Sequence, residues 1–235
     1  MSIVLLDNAI SREYNFRTLF IFRTSYKKMT KLTPRQRRRH KTKATILEAA
    51  RELIAEKGPD GLSLRELARR IDYSPSGLYE YFKSKDDLVT AISAEGLELL
   101  RIYLNRVPTD LLPSERLLEM GLAYLDFAHD HPEHFMLIFN NLTSNRASFN
   151  EPVDPASPYY ILLQAVQATI EAEEFSPREG YTLEEIAYSL WSLVHGMAML
   201  RQTHLRHFQA DFDAIHRRTL QLFAEGFKTK QLSTL

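Results

Sequence analysis

Cysteine is absent from this 235-residue sequence. That excludes disulfide scaffolds, iron–sulfur clusters, zinc ribbons and thiol catalysis. Glycine is scarce at 8 residues, whereas tyrosine and phenylalanine number 11 and 13, the reverse of a linker or a disordered chain. Long apolar runs are missing too. The first two, Ile3 to Leu6 and Leu19 to Phe22, span four residues each, too short for a signal-peptide core or a membrane span. No later stretch reaches membrane length, so a soluble, cytoplasmic protein without a membrane partner is expected. There is also no phosphate-binding loop, cofactor fingerprint or nucleophile–base pair at a catalytic spacing. No enzyme, no cofactor and no metal is the resulting expectation.

What is present is 44% hydrophobic residues, enough for a core, and a formal net charge of zero that hides a segregation. Residues 27–83 carry 15 Lys+Arg against 7 Asp+Glu, a formal +8, and residues 84–235 carry 12 against 21, a formal −9. A small basic module joined to a larger acidic one points to a polyanionic partner for the first alone. Residues 1–30 form an N-terminal extension. Met29 stands directly before the basic run, so the extension is either an ordered arm or the product of a start site assigned too far upstream.

The first helical pattern runs from about Pro34 to Glu56, where Ile46, Ala50, Leu53 and Ile54 form one apolar stripe. Lys57 to Gly61 ends it. Ser63 with Glu66 reads as a capping box for a short helix carrying Leu64, Leu67, Ala68 and Ile71. Asp72 and Tyr73 make a turn. Ser74 before Pro75 caps another short helix through Leu78 to Phe82, and Ser84 with Asp87 opens a long one to about Asn105. Further helices are expected over Ser114–His129, Pro132–Asn141, Ser157–Phe175, Thr182–Leu205 and Asp211–Lys228, with loops at 141–158 and 176–180. No segment alternates as a strand. The fold class is therefore all-α, with about nine helices.

Two short helices joined by a tight turn, behind a longer supporting helix, form the helix-turn-helix pattern. The second helix must be short and capped so that its first residues reach base edges in the major groove. The run LSLRELARRIDYSPSGLYEYFKSKDDLV, Leu62 to Val89, resembles the DNA-binding signature of the TetR family of regulators. Matching positions include Leu62, Ser63, Leu64, Leu67, Ala68, Ile71, Ser74, Leu78, Tyr79, Tyr81, Phe82, Lys85 and Leu88. With the first helix, the resemblance covers about residues 35–105. It implies phosphate contacts for Ser63 and Lys85, with Lys83 beside it, and a place along the groove for Ser74, Pro75, Ser76, Gly77 and Tyr79, with Tyr79 and Tyr81 near the DNA backbone. Asp72 departs from the family, which usually has glycine there. Asp tolerates the left-handed backbone better than most residues, so the turn is expected to survive with slight strain. The cations Arg35, Arg37, Arg38, Arg39, Lys41 and Lys43 receive no role from the resemblance. They read either as an arm that adds affinity by displacing counterions or as a solvated tail.

The expected domains are 31–83 for DNA and 84–235 for ligand sensing and dimerisation. Trp191 to Gly196 resembles the Trp…His-Gly pattern of a subset of TetR-family C-terminal domains. Trp191 and His195 share a helix face and either line a ligand cavity or pack on a neighbour. Close helix packing is the expected reason for Gly196, since a mid-helix glycine costs about 1 kcal/mol against alanine. Tyr124, Phe127, Phe135 and Phe139 complete the candidate pocket, and the last two helices are the expected dimer face. The leading expectation is a homodimer on a palindromic double-stranded operator, released by a small-molecule effector. The alternative is a helical metalloenzyme, for which the histidines of 129–134 must converge with His195 or His204.

Overall fold

The computed structural model describes residues 33–140, 153–176 and 181–227. Among these there are nine α-helices and no β-strand. They are α1 (Pro34–Lys57), α2 (Leu64–Arg70), α3 (Pro75–Tyr79), α4 (Lys85–Asn105), α5 (Pro113–Asp130), α6 (Pro132–Asn140), α7 (Pro158–Glu171), α8 (Leu183–Gln202) and α9 (Phe212–Glu225). Residues 1–32 and most of the 141–158 loop lie outside the described residues, as does any reading made on them.

Local chemistry sets the helix ends. Thr33 and Gln36 cap each other at the start of α1, and Gly58, at φ 73°, ends it by returning its N–H to the Ile54 carbonyl. Ser63 accepts from the Glu66 N–H, but the expected reciprocal bond is missing. The Glu66 carboxylate turns instead to Arg69 and Lys57, whose hydrogen bonds hold its pKa down to about 2. Two guanidinium or ammonium donors outcompete one backbone amide. Ser84 likewise accepts from Asp87 N, while Asp87 bonds the amide of Lys83, one residue before the cap. The box at Thr182 and Glu185 is complete. Helix α7 stops at Glu171, short of the expected Phe175, because Glu173 takes a left-handed φ of 58° and the amides of Glu174 and Phe175 fold back on the Thr169 carbonyl.

Two cores result. The first gathers Ile46, Ala50, Leu53 and Ile54 of α1 with Leu67, Leu78, Phe82, Leu88 and Ile92. The second joins α4 through α9, with Leu100, Met120, Phe127, Phe135, Val166, Ile186 and Val194 among its buried members. Helix α4 serves both, and so does α6, whose Leu137 is buried in the first core while Phe135 is buried in the second. The crossing of α4 and α6 is tight at Gly96, where a β-carbon would stand 3.0 Å from His134 Cβ.

Candidate nucleic-acid interface and interior cavity

The turn between α2 and α3 is closed by the backbone. Asp72 adopts φ 53°, and the Tyr73 N–H reaches the Ala68 carbonyl at 2.8 Å, a left-handed helix end of the kind glycine normally supplies. The expected tolerance of Asp72 is met. Ser74 then caps α3, accepting from the Gly77 N–H at 3.0 Å and lying 3.1 Å from the Ser76 hydroxyl. Leu78 is fully buried and pins the helix, leaving Ser74, Pro75, Ser76 and Tyr79 on the outside, with Tyr79 54% exposed. A β-carbon at Gly77 would sit 2.6 Å from Tyr73 Cε1, so a larger residue there has to displace the Tyr73 ring. Tyr73 in turn meets Tyr81 edge to face at 6.4 Å.

Cations frame this helix. Lys83 is exposed beyond its end, and Lys85 lies 3.5 Å from the Asp60 carbonyl at the start of α4. Burial in α1 begins only at Ile46, so Arg35, Arg37, Arg38, Lys41 and Lys43 stand on a projecting, solvent-facing length of helix. Arg39 and Lys43 are fixed to the α3 region: Arg39 donates to the Glu80 carbonyl at 3.1 Å and covers the Tyr81 ring, and Lys43 covers Phe82. Other cations of the same helices are tied to carboxylates, Arg51 to Glu95 and Arg70 to Glu56. None of the framing cations has a carboxylate partner among the described residues.

The second core borders a cavity of about 1260 Å³ walled by α4, α5, α6, α7, α8 and α9 and by the segment just before α7. Of the six expected pocket residues, Tyr124, Phe139 and Trp191 are on its wall. The Tyr124 hydroxyl lies 3.0 Å from His195 Nδ1 and accepts from Trp191 Nε1 at 3.4 Å. Burial pushes the tyrosine pKa up and the His195 pKa down, so both are neutral near pH 7. Phe127, Phe135 and His195 are not among the wall residues. Phe127 sits one turn beyond Tyr124, where Tyr103 and His131 close over it. Phe135 is fully buried against Tyr124 and Phe139, and His195 stands behind Phe139 with ring centres 4.7 Å apart. Wall residues the sequence reading missed include Glu98, Arg101, Gly121, Tyr159, Glu184 and Tyr188. The i, i+4, i+7 spacing of Glu184, Tyr188 and Trp191 was the available signal for two of them.

At Gly196 a β-carbon meets nothing within 4 Å, so no helix among the described residues packs on it. The close approach occurs at Gly121, where a β-carbon would lie 3.1 Å from Leu220 and 3.4 Å from Val194.

The histidines divide. His131, Glu133 and His134 gather at the α5–α6 corner with potential ligand atoms within 4.8 Å of one another, a set whose residue types suit a divalent cation. His134 Nδ1 is 2.9 Å from a Glu133 oxygen, His131 packs on Tyr103, and none of the three faces the cavity. His195 is bonded to Tyr124 instead, and His204 pairs with Thr203 on the surface. The convergence that a metalloenzyme needs does not occur among these residues.

The outer faces of α8 and α9 expose Leu200, Ile215 and Leu222, the last at 77%, with Tyr181 exposed just before α8. A groove of about 540 Å³ between the two helices is lined by Ser189, Leu193, Thr219, Leu222 and Phe223. No helix among the described residues is long and apolar enough to cross a membrane.

Comparison with known proteins agrees with this geometry. Residues 46–92 match the tetR family of bacterial regulatory proteins, and residues 117–223 match the tetracyclin repressor-like C-terminal domain. A bacterial regulatory protein in the tetR family from Rhodococcus RHA1 superposes with a TM-score of 0.64 at 23% identity, covering 80% of this chain and 98% of that one. The ketosteroid transcriptional regulator KstR2 of Mycobacterium tuberculosis gives 0.60 at 16% identity, with 80% and 96% covered. At those identities the likeness speaks for the fold alone. A structure giving the molecular basis for control of antibiotic production by bacterial hormones matches at 0.57 and 26% identity, over 80% of this chain and 98% of that one.

Proposed function

The chain belongs to the TetR family of bacterial transcriptional regulators, and on that premise we propose that it is a homodimeric repressor released from a palindromic operator when a small molecule fills the cavity. The observation that carries the reading is α3: a short, serine-capped helix held by one buried leucine, with its polar face exposed and cations on either side. Ser74, Pro75, Ser76, Gly77 and Tyr79 then meet the groove, Ser63, Tyr81, Lys83 and Lys85 meet phosphates, and Arg38, Arg39 and Lys43 add counterion release. In the cytoplasm, two copies would set their α3 helices about 34–36 Å apart, one turn of DNA.

Residues 31–83 and 84–235 serve as the two functional units, with α4 common to both. Helix α6 supports the coupling between them, since Phe139 lines the cavity while Leu137 is set in the core that carries α3. An effector releases DNA only to the extent that it binds the non-binding conformer more tightly. A ketosteroid regulator and a hormone-controlled system among the similar structures support a small-molecule signal. The separation of the histidines supports a regulator over an enzyme.

The test is footprinting of the purified protein on the DNA upstream of its own gene, across a salt series. Protection of a palindrome is expected. Lys85→Ala should weaken binding evenly across sequences and reduce the salt slope by about 1. Tyr79→Ala should cost roughly tenfold in affinity, the worth of one hydrogen bond. Salt-sensitive binding with no preferred site would remove α3 as the reader and leave only the basic helix.

A further inference from the structure

The cavity wall is mostly apolar, and its charges do not balance. Arg101 is the one cation among the described wall residues, and it is committed to Glu98, donating through Nε at 2.7 Å and through Nη2 to the other carboxylate oxygen. The remaining charged wall residues are Asp154, Glu184 and Glu185. Asp154 accepts from the Ala156 amide, and Glu185 caps Thr182. Glu184 has no hydrogen-bond or ion-pair partner among the described residues. It lies on the same face of α8 as Tyr188 and Trp191, and all three are on the wall. Across from them, on α7, the Tyr159 ring is 5.8 Å from Trp191. The Tyr159 hydroxyl is pushed up first by burial and then by the negative charge of the exposed Glu184, so that charge reaches the rim of the cavity.

We propose that the effector is a bulky organic cation whose charge is held by Glu184 among the faces of Tyr159, Tyr188 and Trp191, with its apolar body in the cavity. This rests on the reading of the cavity as the effector site. An anion such as a fatty-acid carboxylate finds no free cation on the described wall and meets three carboxylates. A neutral ligand leaves Glu184 unused. A cation gains both the carboxylate and the negative faces of three aromatic rings. The volume, about 1260 Å³, lies above the usual range for drug-sized ligands and suits a body of several rings.

Trp191 is the only tryptophan in the chain, so its fluorescence reports on the cavity directly. Tetraphenylphosphonium and tetraphenylborate share one shape and carry opposite charges; each is titrated against the full chain, alongside neutral N-phenyl-1-naphthylamine. The expected result is saturable quenching by the phosphonium at least tenfold tighter than by the borate. Glu184→Gln, shown to be folded by circular dichroism, should cut that advantage to below about threefold. Borate binding equal to or tighter than phosphonium binding, or a preference indifferent to Glu184→Gln, overturns the proposal. If the naphthylamine still perturbs Trp191 in that case, the cavity remains a ligand site of different charge preference. If none of the three probes perturbs Trp191, the effector-site reading itself falls.

Discussion

His195 illustrates how one half-buried side chain ties stability to pH. Its Nδ1 meets the Tyr124 hydroxyl, and burial holds its pKa below 6.5. As pH falls through 6.5 the unfolded chain takes up a proton that the folded chain refuses, so stability present above that value is lost on acidification. The melting temperature is expected to fall between pH 7.5 and about 5.5 for this reason. His195→Gln keeps a hydrogen-bonding partner for Tyr124 but cannot titrate, and its melting curve should depend less steeply on pH. Some slope remains, because burial also lowers His131 and His216. An unchanged slope in the variant would assign the effect to those two residues. Asp72 shows the opposite kind of legibility. A single departure at a turn predicted a left-handed backbone, and the angle is there.

At the scale of elements, α6 decides most. Its nine residues have no single apolar stripe: Phe135 and Phe139 face the second core, while Leu137 points to the first and His134 and Ile138 press on Gly96 of α4. A helix apolar on all sides is a buried one, and its extent was readable from Pro132 and the following run. Which face meets which core was not, because that depends on how α6 is rotated against α1 and α4. Leu137→Ala, at 1% exposure, should destabilise the protein by about 2–5 kcal/mol in urea denaturation, since it empties a site in a core 45 residues away in sequence from Ile92. A loss below 1 kcal/mol would mean that α6 is only loosely seated in the DNA-binding core.

For the whole molecule, the exposed apolar faces of α8 and α9 are the feature that one chain leaves unsatisfied. Leu222 is 77% exposed, and in an isolated chain its replacement by Glu would cost almost nothing. In a dimer built on these helices the same change buries an unpaired carboxylate. Leu222→Glu is therefore expected to sediment as a folded monomer with its operator affinity greatly reduced, against a dimeric parent. A dimeric variant would move the interface elsewhere on the surface. Gly196 belongs to this scale as well, because no group among the described residues packs on it.

The caps at Ser74 and Thr182 and the turn at Asp72 were set by contacts between residues at most five positions apart, and these are written in the order of the amino acids. Charge segregation is likewise a property of the linear chain, which is why DNA as a partner could be expected from it. The tertiary structure alone decided that Tyr124, Phe139 and Trp191 face a cavity while Phe127 and Phe135 fill the core. It alone put the close helix contact at Gly121 and spread α4 and α6 over two cores. A void between six helices depends on their relative rotation and spacing, which many distant side chains settle together and no local pattern encodes.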